Sequence, residues 1–131
     1  MRQDQIRAGR LAGERSDAIT EYLSSMPADR WIGRADVLVD IAHLLMLQRQ
    51  GVVAGTAAVP LLRLLLRLYE EGLPAEVFDP RYEDVHAGIE AYLIEHAGAD
   101  AGGRLQIGRS RNDEVAACIR LRLREIGRAH V

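Results

Sequence analysis

Between positions 108 and 113 the chain reads Gly108-Arg109-Ser110-Arg111-Asn112-Asp113. Two arginines, helix-capping side chains and a flexible glycine fall together where a loop turns into a helix. A helix start offers unpaired backbone N–H groups and the positive end of the macrodipole, so it draws anions. Arginine forks add two-pronged recognition of carboxylate or phosphate. The chemistry suited to this spacing is the binding of a small acidic molecule. A purely structural account covers part of the stretch: Ser110 with Asp113 three residues on forms a capping box, or Asn112 alone caps the helix. That account leaves Arg109 and Arg111 at a helix end where the macrodipole disfavours cations.

Glu83-Asp84-Val85-His86 is a second group with chemical potential. Glu83 and His86 have the Glu-x-x-His spacing of di-metal helix bundles, and Asp40 with His43 offers a similar pair. One reading is therefore a carboxylate-rich metal site, which also needs two further glutamates on facing helices. A second makes Asp84 an N-cap with Glu83 in the first turn. In a third, Asp84 and His86 line a substrate pocket, Asp84 orienting an arginine or the imidazole. Ser24-Ser25-Met26-Pro27-Ala28-Asp29, taken alone, is only a turn.

These groups need helices to hold them. The pattern predicts a short helix over 16–24, then a run from Asp36 to Gln50 that is apolar on nearly every side, as in a helix buried in a core or an assembly. Gly51 and Gly55 break it. A third helix runs from Pro60, suited to a first turn, to Glu71, with Gly72 and Pro74 as stops. A fourth spans 84–96, and a glycine-rich loop covers 98–108. The last begins near Asn112 and still runs at Arg124. No strand or internal repeat is visible, so the fold class is all-α.

The 131 residues are 48% hydrophobic and carry a formal charge of −2, and all 17 basic residues are arginine. This balance gives no basic excess for nucleic acid and no acidic tail. The single cysteine, Cys118, excludes an internal disulfide and sits among Ala116, Ala117 and Ile119 as a small packing residue. No apolar run reaches a membrane span, and the opening Met1-Arg2-Gln3-Asp4 lacks a signal-peptide core, so the expected compartment is the cytoplasm. Ile126-Gly127-Arg128-Ala129-His130-Val131 back-translates to ATC GGA AGA GCA CAC GTC, a string resembling a sequencing adapter, and is expected to be a tail foreign to the natural frame.

Taken in order, the three motifs resemble argininosuccinate lyase, of the aspartase/fumarase superfamily. The resemblance runs from about Arg10 to Arg124. It covers Asp29-Arg30, Asp36, Ala42-His43, Glu83-Asp84-Val85-His86 with Ile89-Glu90-Ala91 and Leu93, Gly103-Arg104-Leu105, and Gly108 to Asp113 followed by Val115-Ala116 and Leu121-Arg122.

The resemblance implies a cofactor-free β-elimination that cleaves argininosuccinate to arginine and fumarate in arginine biosynthesis, by a homotetramer. It implies that Ser25, Ser110, Arg111 and Asn112 contact substrate, and that Asp29, Asp84, His86 and Arg109 support the pocket. It also divides the chain: 1–111 as an N-terminal helical domain, 112–125 as the truncated start of a central helical bundle, 126–131 as the adapter tail. The family's acid and base lie in a Thr-His segment and a mobile Gly-Ser-Ser loop, and neither segment occurs here, so the chain alone is expected to be inactive. Where the family has Lys-Leu-His-Thr before the hexapeptide, this chain reads Arg104-Leu105-Gln106-Ile107. Leu23 stands where an asparagine is often found, and Glu114 where glutamine is commoner. The alternatives are another superfamily lyase on a succinyl substrate, a crystallin-like structural descendant, and a metal-binding helical module.

Overall fold

The computed structural model describes residues 17–130, and every regular element among them is helical. The expected helix start at Ser16, and the resemblance between Arg10 and Ser16, lie outside the described residues. In order the elements are α1 (Asp17–Leu23), α2 (Met26–Asp29), α3 (Gly33–Arg49), α4 (Gly55–Glu71), a 3₁₀ turn (Ala75–Phe78), α5 (Val85–Ala97), α6 (Ala99–Gly102) and α7 (Arg111–Ala129). No described helix is long and apolar enough to cross a membrane.

Helix α3 is the centre, packing against α4, α5 and α7. Its inward stripe repeats at helical spacing: Gly33, Asp36 and Val37, Asp40, Leu44, Leu47. The apolar residues on its other side divide: Leu45 and Met46 are exposed, so the all-round hydrophobicity is only partly buried within this chain. Helix α3 starts three residues before Asp36, whose N–H bonds back to the Ile32 carbonyl at 2.9 Å. It ends at Gly51, whose φ of +71° suits a residue without a side chain.

In α4, Ala58, Leu61, Leu65 and Leu68 form one buried stripe. The helix begins at Gly55, so Pro60 lies inside it and not at its first position. The reason is local: the Ala54 carbonyl already accepts from the N–H groups of Ala57 and Ala58, so the first turn is wound before the proline is reached. Helix α6 is a short turn inside the stretch expected to be loop. The core joins Val37, Leu44, Leu61, Leu65, Val77, Val85, Ile89, Leu93 and Leu105.

Close approach explains Gly88. A Cβ built there would run into the backbone carbonyl of Val77, on the 3₁₀ turn that packs against α5. Gly88→Ala is therefore expected to destabilise the chain by at least about 2 kcal/mol. Gly55→Ala, at a helix start with nothing within 4 Å, is expected to be neutral or mildly stabilising. Thermal melts of the two variants followed by circular dichroism check this, and equal midpoints would contradict the packing.

Candidate substrate-binding site

Two helix starts and one turn meet on the surface. At α5, the Asp84 side chain accepts the Ala87 N–H at 2.7 Å and so caps the helix. The same oxygen accepts from Arg111 Nη1 at 2.9 Å, and Arg111 is the first residue of α7. One carboxylate thus satisfies an orphan helix N–H and neutralises the arginine placed against the α7 macrodipole. At α7, Ser110 caps, accepting the Asn112 N–H at 3.3 Å.

The early turn docks on the same place. Ser25 N–H donates to the Glu83 carbonyl at 2.9 Å, and Ser25 Oγ donates to Asp29 Oδ2 at 2.7 Å. Asp29 Oδ2 also accepts the Val85 N–H at 3.2 Å. The Ser25 side chain therefore braces Asp29 and does not cap α2. Ser25, Ser110 and Asn112 are exposed, Arg111 and Asp84 half-buried, and Asp29 buried. Among the open readings of Asp84, N-cap and arginine-orienting residue both hold at once.

Beneath this face lies a buried ionic cluster. Asp36 and Asp40 come from α3, His86 from α5, Arg109 from the loop, and Glu114 and Cys118 from α7. His86 Nδ1 lies 2.7 Å from Asp36 Oδ2 and 3.5 Å from Glu114 Oε1. Arg109 Nη2 lies 2.6 Å from both Asp40 Oδ1 and Glu114 Oε1. The Arg109–Asp40 contact is an aligned hydrogen bond, whereas those of His86 with Asp36 and Arg109 with Glu114 have ion-pair distance without that alignment. Cys118 Sγ donates to Asp36 Oδ1 at 3.5 Å. The side chains of Asp40 and Arg109 are only 2% and 3% exposed.

Burial and pairing compete for each proton. Burial opposes charge on His86, but Asp36 and Glu114 outweigh it and raise the imidazole to about 10. Asp40 is pushed well above the ordinary carboxylate range by burial and by Asp36, against the opposing pull of Arg109. Burial likewise raises Asp36 despite His86. For Glu114, burial acts upward, yet His86 and Arg109 overcome it and hold the carboxyl low. Burial and Asp36 keep the Cys118 thiol protonated, which removes it as a nucleophile.

Both hexapeptide arginines thus have internal carboxylates, where the capping account alone leaves them unexplained. Arg109 points inward and is unavailable to a ligand; Arg111 stays at the surface. Sequence reasoning placed His86 and Arg109 near the pocket but missed the cluster they join. Asp36 and Asp40 carry its signal, being one turn apart in an otherwise apolar run. Glu114 and Cys118 repeat that spacing on α7.

The Asp40–His43 and Glu83–His86 pairs do not assemble into a di-metal site. His43 Nε2 sits 3.0 Å from the Ile107 carbonyl, Asp40 is held by Arg109, and His86 by Asp36. Asp36, His86 and Glu114 do bring three donor atoms within 4.8 Å of one another. Within this trio Asp36 faces His86 at 2.7 Å, and Glu114 already pairs with Arg109 at 2.6 Å. A cleft of about 380 Å³ lined by Arg30, Trp31, Arg34, Ala35, Arg122 and Glu125 contains none of these residues.

The raised His86 fixes the sign of a pH effect. Its stabilising contribution is complete below pH 6.5, its ordinary value, and is lost as pH rises towards about 10. Asp36 and Asp40, also raised, act in the same direction, whereas the lowered Glu114 loses its contribution only in acid. The thermal midpoint should therefore fall between pH 6.5 and 10. His86→Gln should lower the midpoint at pH 6.5 and flatten that decline; an unchanged slope in the variant would rule out His86 as its source.

No family model matches the chain. Curated relatives do. The argininosuccinate lyase of Methanoculleus marisnigri is 64% identical over 125 residues, covering 95% of this chain and 25% of the relative. That of Methanocorpusculum labreanum is 59% identical over 126 residues, 96% and 26% respectively. For Methanosarcina mazei the identity is 50% over 120 residues, 92% and 24%. The chain spans about a quarter of the length of the relatives it matches, and along nearly all of its own length it is homologous to that quarter of the argininosuccinate lyases.

Proposed function

We propose that this chain is the carboxylate-binding portion of a lyase that splits argininosuccinate into arginine and fumarate by β-elimination. One observation carries the reading: Ser25, the start of α5 and the start of α7 meet on one surface through Asp29, Asp84 and Arg111. The relatives' shared name supplies the substrate. Argininosuccinate bears three carboxylates. Arg111, the α7 N–H groups, Ser110 and Asn112 would hold them, and Ser25 would join them by turning its hydroxyl proton from Asp29 to the ligand.

Elimination removes a proton from the carbon beside a carboxylate and protonates the departing guanidinium nitrogen. Negative charge grows on that carboxylate as the proton leaves. A fixed cation and helix N-terminus stabilise it without reorganising. Asp84 keeps Arg111 oriented for this, while Asp29 holds the Ser25 turn against α5. In this reading the acid and base lie in the three quarters of the lyase that the chain does not span. Residues 1–111 are its N-terminal helical domain, and 112–125 begin its central bundle. The exposed Leu45, Met46, Ile119 and Leu123 support packing against further chain or other copies; the cytoplasmic homotetramer is what the resemblance adds.

The 131-residue chain should release no fumarate, followed by its ultraviolet absorbance. A full-length hybrid, with this chain replacing the matching quarter of the Methanoculleus marisnigri lyase, should be active. In that hybrid Arg111→Lys should lower kcat/KM for argininosuccinate at least about tenfold, because an ammonium cannot reproduce the two-pronged contact. Turnover by the short chain would refute the division of labour. A folded but inert hybrid, or one that instead cleaved adenylosuccinate, would refute the substrate assignment.

A further inference from the structure

We propose that Asp40 is a positioning residue for substrate binding, acting through Arg109 to fix the start of α7; this rests on the lyase reading above. The geometry is that of a pin. Gly108, with φ of +69°, turns the chain so that the next residue enters the interior. Arg109 then buries its guanidinium, while Ser110 and Asn112, one and three residues later, remain exposed.

The two carboxylates on Arg109 Nη2 do different things. Glu114 lies on α7 itself, so its contact shapes the loop-to-helix turn and reaches another element only through the 3.5 Å approach to His86 of α5. Asp40 lies in the middle of α3, the helix against which α4, α5 and α7 all pack, and accepts the aligned 2.6 Å hydrogen bond. The Asp40–Arg109 bond thus transmits the position of the core to the residue just before Ser110. Arg109 Nε adds a 3.4 Å contact to Gln106 Oε1, bracing the same loop. On the outer side Arg111 is held by Asp84 of a different helix start. The ligand-facing residues therefore sit between these two ties to separate elements; the His43–Ile107 contact also joins α3 to the loop, but Asp40 supplies the buried ionic tie next to Ser110.

The test uses the full-length hybrid lyase. Asp40→Asn should raise KM for argininosuccinate about tenfold and change kcat less than about threefold, since loosened carboxylate contacts weaken binding before they weaken chemistry. Asp40→Glu, which restores the charge, should recover most of the loss. Leu65→Ala, in the core and away from the site, should lower the thermal midpoint while leaving KM unchanged. Should Asp40→Asn fail to fold, Arg109→Lys carries the same test, as one ammonium lacks the fork. A lowered midpoint with unchanged KM in the Asp40 or Arg109 variant would make the pair purely structural. An inactive parent hybrid would instead overturn the lyase reading, so the two failures are distinct.

Discussion

The structure turns on how Arg109 is buried. A guanidinium almost removed from water is costly unless its donors meet carboxylates. Here one nitrogen reaches Asp40 of α3 and Glu114 of α7 at equal distance. The same Glu114 faces His86 of α5, which faces Asp36, again on α3. Three helices and a loop are therefore joined by a chain of charges in which each member depends on the next. Hydrophobic packing would hold these helices together as firmly, but it tolerates sliding. Ion pairs at 2.6 and 2.7 Å tolerate little, so the cluster sets the positions of α5 and α7 on α3.

That constraint sorts the two hexapeptide arginines. They are two residues apart and chemically identical, yet Arg109 is sealed and Arg111 is accessible. The turn at Gly108 and the N-cap at Ser110 send successive side chains in different directions, and the carboxylates waiting at each destination complete the division. Charge counting extends it. Asp36, Asp40 and Glu114 oppose His86 and Arg109, three acids against two cations. Burial disfavours the surplus charge, and Asp40 and Asp36 are both pushed above the ordinary carboxylate range.

Much of this was legible in the sequence, and the pattern of what was not has physical causes. Helices with a single apolar stripe or a clear cap, such as α4 and α5, were readable because their signals are local. The capping roles of Ser110 and Asp84 followed from residue type and position. The start of α4 was missed because Pro60 is tolerated within a helix already nucleated at Ala54, and propensity cannot see that hydrogen bonds have formed earlier. The buried cluster was missed for a different reason. Asp40, His86, Arg109 and Glu114 are separated by up to 74 positions, and only tertiary packing makes them neighbours. Read singly, Asp36 looked like a helix opener and Glu114 like a mild first-turn exchange.

Helix α7 shows how the surface that joins Ser25, Asp84 and Arg111 is fixed within a stretch spanning a quarter of the relatives' length. Its buried residues, Glu114 and Cys118, lie in its first half, where the ionic cluster grips it. Beyond them Ile119 and Leu123 are exposed one turn apart. The helix is thus held at one end by interactions internal to this chain and presents an apolar face further along. Its first two turns are tied to α3 through Arg109 and Cys118, and towards α5 through Asp84 and His86. The lyase reading proposed above, in which acid and base come from elsewhere, suits such an arrangement: the charge network fixes the edge at Arg111, and the open helix behind it offers a face for further chain.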